Sequence, residues 1–143
     1  MLHPVPQLPG PHLFCGPTAI CAITGLDQMH VLAKAHRYMR RPYNRPIVEM
    51  TNAQLIGTLA LLGYSAELYR FDPLPGERLP TLARFIKDME PFNGAVILSL
   101  KGHFCTVTYD EYLCNQTDGQ AVPLWACPNR RLRVEHIIEV KPL

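Results

Sequence analysis

Cys15 stands where an extended segment gives way to a short apolar helix, a position that favours a reactive thiol. Regular helix before it is prevented by four prolines, Pro4, Pro6, Pro9 and Pro11. Pro17 suits the first helical turn and Gly25 suits a left-handed helix stop. Helix N-termini stabilise thiolates, and their free N–H groups can hold an oxyanion. Cys15 is therefore predicted to be a nucleophile whose own N–H binds the oxyanion; the alternative is a buried structural thiol.

A histidine that can act as the general base comes much later in the chain. Residues 94–109 predict a strand, a tight Lys101-Gly102 turn and a second strand that His103 opens. A cysteine with a distant histidine is typical of a thiol nucleophile and its base, which folding brings together. In a thiolate–imidazolium pair, the pKa of Cys15 would fall below about 8.5 and that of His103 would rise above about 6.5.

The third member of such a site is expected to orient the base. Asn115 follows the next short predicted strand, so in a hairpin it would lie beside His103 and accept a hydrogen bond from one ring nitrogen. Two carboxylates, Asp110 and Asp118, are alternatives for this role.

The two motifs resemble a known family. A cysteine opens a helix in Cys-Gly-Pro-Thr-Ala, a histidine opens a strand in Gly-His-Phe-Cys-Thr-Val, and an asparagine follows. This order resembles the papain-like cysteine peptidase superfamily, in particular its small bacterial and phage members and the bacteriocin-processing peptidase domains. The Gly-Ser-Cys-Trp run of plant and lysosomal relatives is absent. The resemblance implies Cys15 as nucleophile, His103 as base, Asn115 as the orienting residue and Gln7 as a second oxyanion donor.

The predicted activity is that of a thiol hydrolase, most specifically a cysteine peptidase that cleaves a peptide or isopeptide bond. Deamidation and acyl transfer to an amine would use the same residues, because these reactions differ in which nucleophile attacks the thioester. A non-catalytic module is the alternative of another class, with a partner held in the cleft or on a basic surface of Arg37, Arg40, Arg41 and Arg45. A metal site of Cys15, His103 and Cys105 lacks a supporting ligand spacing, so no metal or cofactor is expected.

The composition predicts one globular domain over residues 1–143, with residues 1–13 as an extended, proline-rich arm. A chain of 143 residues, 48% of them hydrophobic, can bury a core without disulfides. The net charge of +2 is too small to argue for nucleic acid. No apolar run reaches the roughly 18 residues of a membrane span, and no signal peptide is apparent. Because an odd number of cysteines fits a reducing compartment, we expect a cytoplasmic protein that acts on a protein or peptide.

The order of the predicted elements indicates an α+β, papain-like fold. Helices are predicted over residues 15–25, 27–39, 51–63 and 81–89, and strands over 65–71, 95–100, 103–109, 112–114 and 131–140. Four side chains of the second helix should face the core, namely Met29, Leu32, Ala35 and Met39. Alternate residues of the last strand should share one face, namely Leu132, Val134, His136, Ile138 and Val140. The nucleophile helix should pack on an antiparallel sheet and leave a cleft where the two meet.

Overall fold

The computed structural model describes residues 2–6 and 14–143, and that part of the chain forms four α-helices and six strands. The helices are α1 (Cys15–Thr24), α2 (Gln28–Met39), α3 (Asn52–Leu61) and α4 (Leu82–Asp88). The strands are β1 (Tyr64–Arg70), β2 (Val96–Leu100), β3 (His103–Val107), β4 (Glu111–Leu113), β5 (Val122–Pro123) and β6 (Val134–Pro142). Short 3₁₀ turns, Asn115–Thr117 and Leu124–Ala126, follow β4 and β5. This order confirms the predicted α+β class.

Capping interactions are seen at the starts of α2 and α3 and at the end of α1. The Asp27 carboxylate accepts a hydrogen bond from the Met29 N–H at 3.0 Å and starts α2. Thr51 and Gln54 form a reciprocal capping box at the start of α3, with hydrogen bonds of 3.1 and 2.9 Å. Gly25 ends α1 in the left-handed region at φ 74°. Local side-chain chemistry therefore decides the helix ends.

The six strands form one antiparallel sheet in the order β1-β6-β2-β3-β4-β5. The Lys101-Gly102 turn joins β2 to β3 as predicted, with Gly102 at φ 71°. The last strand of the sequence lies in the interior of the sheet, between β1 and β2. The C-terminal segment therefore links the β2–β3 hairpin to the strand that follows the first three helices.

The sheet separates two apolar cores. On one face α1 is buried along seven of its ten residues and packs with α2 and α3. The Thr106 hydroxyl of β3 donates to the Ala19 carbonyl of α1 at 3.4 Å, which fixes α1 against the middle of the sheet. On the other face α4 inserts Leu82 into a core that contains Cys105 and Tyr112. The start of α1 is thereby held at one end of the β2–β3 hairpin.

The prediction that alternate residues of the last strand share one face is wrong. The register of β6 against β2 shifts by one residue opposite Ser99 and Leu100, which is a β-bulge. Side chains alternate along a strand, so one extra residue sends the side chains beyond it to the other face. Val134 accordingly lies in the α4 core, whereas Ile138 lies in the α1 core.

The predicted burial of Met29 is also wrong. Met29 is 61% exposed, because the buried stripe of α2 runs through Val31 and Ala35; two residues along a helix turn the side chain by about 200°. Trp125, the only tryptophan, is 77% exposed because it lies in a 3₁₀ turn at the edge of the sheet. Neither side chain contributes to a core.

Part of the proline-rich arm is tied to the rest of the fold. The His3 N–H donates to the Ala22 carbonyl at 2.9 Å, and the Val5 N–H donates to the Gly119 carbonyl at 2.7 Å. Residues 1 and 7–13 lie outside the described residues, and they include Gln7. The oxyanion role of Gln7 therefore stays a prediction.

Candidate active site

A cleft of about 380 Å³ lies where the start of α1 meets the β2–β3 turn. Cys15 and His103 both line it, so the fold brings together two residues that are far apart in sequence. The rest of the lining comes from the segment before α3 and from the sheet, namely Val48, Glu49, Met50, Thr51, Asn52, Ser99, Leu100, Gly102, Phe104, Glu135 and His136.

Cys15 is the first residue of α1, directly after the N-cap residue Phe14. All five cysteines lie in the described part of the chain; Cys15 is partly exposed and the other four are buried. Burial raises the pKa of the Cys15 thiol above its ordinary value of 9.0, and hydrogen bonds from the backbone N–H groups of Phe104 and Gly16 oppose that rise. Burial has the larger effect, so the thiol is protonated at neutral pH.

His103 is half-buried at the start of β3. Burial lowers its pKa below the ordinary value of 6.5. The Nε2 atom is buried and has no hydrogen-bond partner among the described residues. Nδ1 is therefore the ring nitrogen that is accessible from the cleft.

The two pKa shifts have directions opposite to those expected for a thiolate–imidazolium pair. Burial favours the neutral forms of both Cys15 and His103. Burial alone would therefore leave a neutral thiol and a neutral imidazole in the cleft, and the ion pair stays a prediction.

Asn115 follows β4 and opens a 3₁₀ turn. The β3–β4 ladder pairs Thr106 with Leu113, so His103 and Asn115 both lie beyond this pair at the same end of two antiparallel strands. The Asn115 Oδ1 atom is buried and, within the described residues, has no hydrogen-bond partner. An imidazole N–H is a donor and an amide oxygen is an acceptor, so the two unpartnered atoms are chemically complementary.

The two carboxylates considered for the same role lie elsewhere. Asp110 is in the β3–β4 turn, at the opposite end of β3 from His103, and its carboxylate accepts from the Thr108 hydroxyl at 3.0 Å. Asp118 is exposed and ends the 3₁₀ turn in the left-handed region at φ 55°. Asn115 is therefore the better placed of the three to orient His103.

The opposite wall of the cleft carries a second histidine that the sequence pattern did not single out. His136 on β6 and Asn52 at the start of α3 share a hydrogen bond of 3.1 Å between Nδ1 and Nδ2. Ser99 pairs with Phe104 on one side and with His136 on the other. His136 is thus two strands, or about 10 Å, from Phe104. Only the sheet order reveals this neighbour, because β6 is distant in sequence.

Gly16 lets the cleft wall approach α1 closely. A Cβ atom on Gly16 would lie 2.6 Å from the Sδ atom of Met50, well inside van der Waals contact. Met50 also lines the cleft, so the Cys-Gly pair shapes the wall beside the thiol.

The metal alternative gains no support. Within residues 2–6 and 14–143, no group of three His, Cys, Asp or Glu side chains is arranged to hold a metal ion. Cys105 is fully buried in the α4 core.

A cysteine at the start of an N-terminal helix, packed on an antiparallel sheet whose hairpin carries a histidine, is the arrangement of a papain-like α+β fold. The protein is similar in structure to the peptidase domain of Streptococcus ComA, a bifunctional ABC transporter involved in a quorum-sensing pathway. The TM-score is 0.58, the coverage is 100% of both chains and the sequence identity is 10%. The predicted resemblance to papain-like peptidase domains is thereby confirmed at the level of the fold, and at this identity the likeness shows the fold alone.

No family model and no curated protein matches the sequence. Among the described residues, no helix has the length and apolar character needed to cross a membrane.

Proposed function

We propose that the protein is a thiol hydrolase, most specifically a cysteine peptidase, with Cys15 as nucleophile, His103 as general base and Asn115 as the residue that orients His103. One observation carries the proposal. Cys15, at the start of α1, and His103, at the start of β3, line the same cleft. The similarity of the fold to a peptidase domain supports it independently.

The neutral site supports general-base catalysis. A histidine whose pKa is lowered is unprotonated at neutral pH, so His103 Nδ1 can take the thiol proton as the Cys15 sulfur bonds to the substrate carbonyl carbon. The imidazolium then gives this proton to the leaving amine, and a thioester remains on Cys15. Water attacks the thioester after losing a proton to His103, and the acid product leaves as the thiol is restored.

Two parts of the site would stabilise charge during these steps. The Cys15 N–H at the start of α1 is proposed to donate to the oxyanion, with Gln7 as the second donor. Asn115 Oδ1 would accept from the Nε2–H of the imidazolium, which fixes the ring and spreads its charge. Within the described part of the chain both Nε2 and Oδ1 are buried without a partner, so this hydrogen bond would satisfy two otherwise unpaired atoms.

His103 is favoured over His136 as the base. The helix that Cys15 begins is hydrogen-bonded to β3, the strand that His103 opens, whereas His136 lies on β6, about two strand spacings from β3. The Nδ1 atom of His136 is also engaged by Asn52. His136 therefore offers a matched control from the same cleft.

The test is cleavage of a mixed peptide library followed by mass spectrometry, with the wild-type protein and the variants Cys15→Ala, His103→Ala and His136→Ala. Cleavage should be lost in the first two variants and retained in His136→Ala. An acid quench should trap a peptide thioester on Cys15. Cleavage that survives Cys15→Ala, or a loss confined to His136→Ala, would overturn the assignment.

The masses of the products in this assay also distinguish hydrolysis from deamidation and from acyl transfer. Hydrolysis adds water across a cut bond, deamidation converts an amide to an acid without a cut, and acyl transfer joins the acyl fragment to an amine. A protein that forms neither product nor thioester would be the non-catalytic module.

A further inference from the structure

A continuous groove leads from the candidate active site to three arginines. The cleft shares residues 48–51 with a second depression of about 400 Å³. The second depression shares three residues with a third of about 320 Å³, namely Met39, Arg41 and Gln54. The third depression is lined by Arg40, Arg41 and Arg45, which we call the arginine end of the groove.

The loop that carries the arginine end is fixed by its neighbours. The Arg41 N–H donates to the His36 carbonyl at 3.0 Å, and the His36 ring contacts the Arg41 carbonyl through Nδ1 at 3.0 Å. Tyr43 stacks on the same ring with the centroids 4.8 Å apart. Contacts within the chain therefore hold the backbone of the arginine end in place.

The guanidinium groups of the arginine end are available for a ligand. In the described part of the chain the ion pairs are Arg84–Asp88 and Lys141–Glu139, and neither involves this end. Arg40 and Arg45 are exposed and Arg41 is partly exposed. Guanidinium groups bind carboxylates through paired hydrogen bonds.

The charges along the groove are separated by sign. Among the described residues, the cleft is lined by Glu49 and Glu135 and by no lysine or arginine, whereas the arginine end is lined by three cations and no carboxylate. Carboxylates of a bound peptide would thus be attracted to the arginine end of the groove and repelled by the glutamates of the cleft.

We propose that the arginine end is a subsite for an acidic segment of the peptide whose scissile bond lies at Cys15. This inference rests on the proposed function, because it assigns the groove to the peptide cleaved there. Its physical basis is the continuity of the groove and the complementarity of charge.

The first experiment measures binding. Fluorescence anisotropy of the Cys15→Ala protein is followed with a peptide that contains a run of glutamates and with the same peptide carrying glutamine instead. The glutamate peptide should bind about tenfold more tightly at low salt, and this preference should shrink as salt rises. The variant Arg40→Gln/Arg41→Gln/Arg45→Gln should lose the preference.

A matched control removes the same charge elsewhere. The variant Arg70→Gln/Arg78→Gln/Arg131→Gln changes three exposed arginines outside the groove, so net charge falls equally in both triple variants. Only the variant of the arginine end should lose the preference, and both should unfold at the wild-type temperature. An equal loss in the two variants would show attraction by net charge and overturn the subsite.

The second experiment connects the arginine end to Cys15. The glutamate peptide should protect Cys15 of the wild-type protein from iodoacetamide, and the triple variant of the arginine end should lose this protection while its alkylation rate without peptide is unchanged. Cleavage of library peptides without a preference for acidic residues would refute the subsite and leave the proposed function standing. Protection without any cleavage would refute the proposed function and would leave the arginine end only as a binding site for acidic peptides. Tighter binding of a single-stranded oligonucleotide at the arginine end would overturn the subsite in favour of nucleic acid.

Discussion

The ionisation of Cys15 makes a quantitative prediction about its reactivity. Burial raises the pKa of Cys15 above 9.0, so less than about 1% of the thiol is ionised at pH 7. The thiolate is the reactive form, and its fraction grows tenfold per pH unit below the pKa. Alkylation of Cys15 by iodoacetamide should therefore accelerate about tenfold per unit between about pH 6 and pH 9.

The assay is timed alkylation followed by mass spectrometry of the peptides that contain each cysteine. Cys21 is an internal comparison, since it is buried and its pKa is raised to about 12, and it should react more slowly than Cys15 throughout. The variant His103→Gln should leave the Cys15 profile nearly unchanged, because the histidine is neutral and contributes no charge to the thiol.

A different profile would refute this reasoning. A thiolate–imidazolium pair would give a rate that is nearly flat between about pH 5 and pH 8 and that falls strongly in His103→Gln. That outcome would mean that attraction between the two charges exceeds the cost of burying them.

Three further results are expected. Asn115→Ala should lower kcat about tenfold or more in peptide cleavage, with little change in KM, because His103 loses its orienting acceptor; an equal effect of Asp110→Ala would contradict this. Gly16→Ala should reduce the free energy of unfolding in urea by about 1 kcal/mol, because the new methyl group clashes with Met50, and the additional change Met50→Ala should recover part of the loss. The free energy of unfolding should also fall as the pH drops below 6.5, because the lowered pKa of His103 lets the unfolded chain take up a proton that the folded protein excludes; urea titrations at two pH values should show a smaller fall in His103→Gln.

The local elements follow from the sequence because their causes are local. The capping box of Thr51 and Gln54 and the helix stop at Gly25 each involve residues within one turn of the helix. The position of Cys15 at the start of α1 follows from the same kind of signal, and so does the position of His103 directly after the Lys101-Gly102 turn. The order of helices and strands then indicated the α+β class and a cleft beside α1.

Tertiary structure decided the features that depend on contacts between distant segments. The bulge in β6 puts Val134 and Ile138 on opposite faces, and strict alternation along the sequence contains no sign of it. His136 enters the cleft because β6 pairs with β2, a neighbour that no local pattern specifies.

Burial in the fold likewise acts on the protonation states of the candidate site. A helix start and a nearby histidine both favour a thiolate, yet burial shifts the pKa of Cys15 upward and that of His103 downward. Desolvation depends on every segment that covers a side chain, so it cannot be calculated from the neighbours in sequence. The sequence thus indicated the candidate reactive residues, and the packing around them sets the cost of giving each of them a charge.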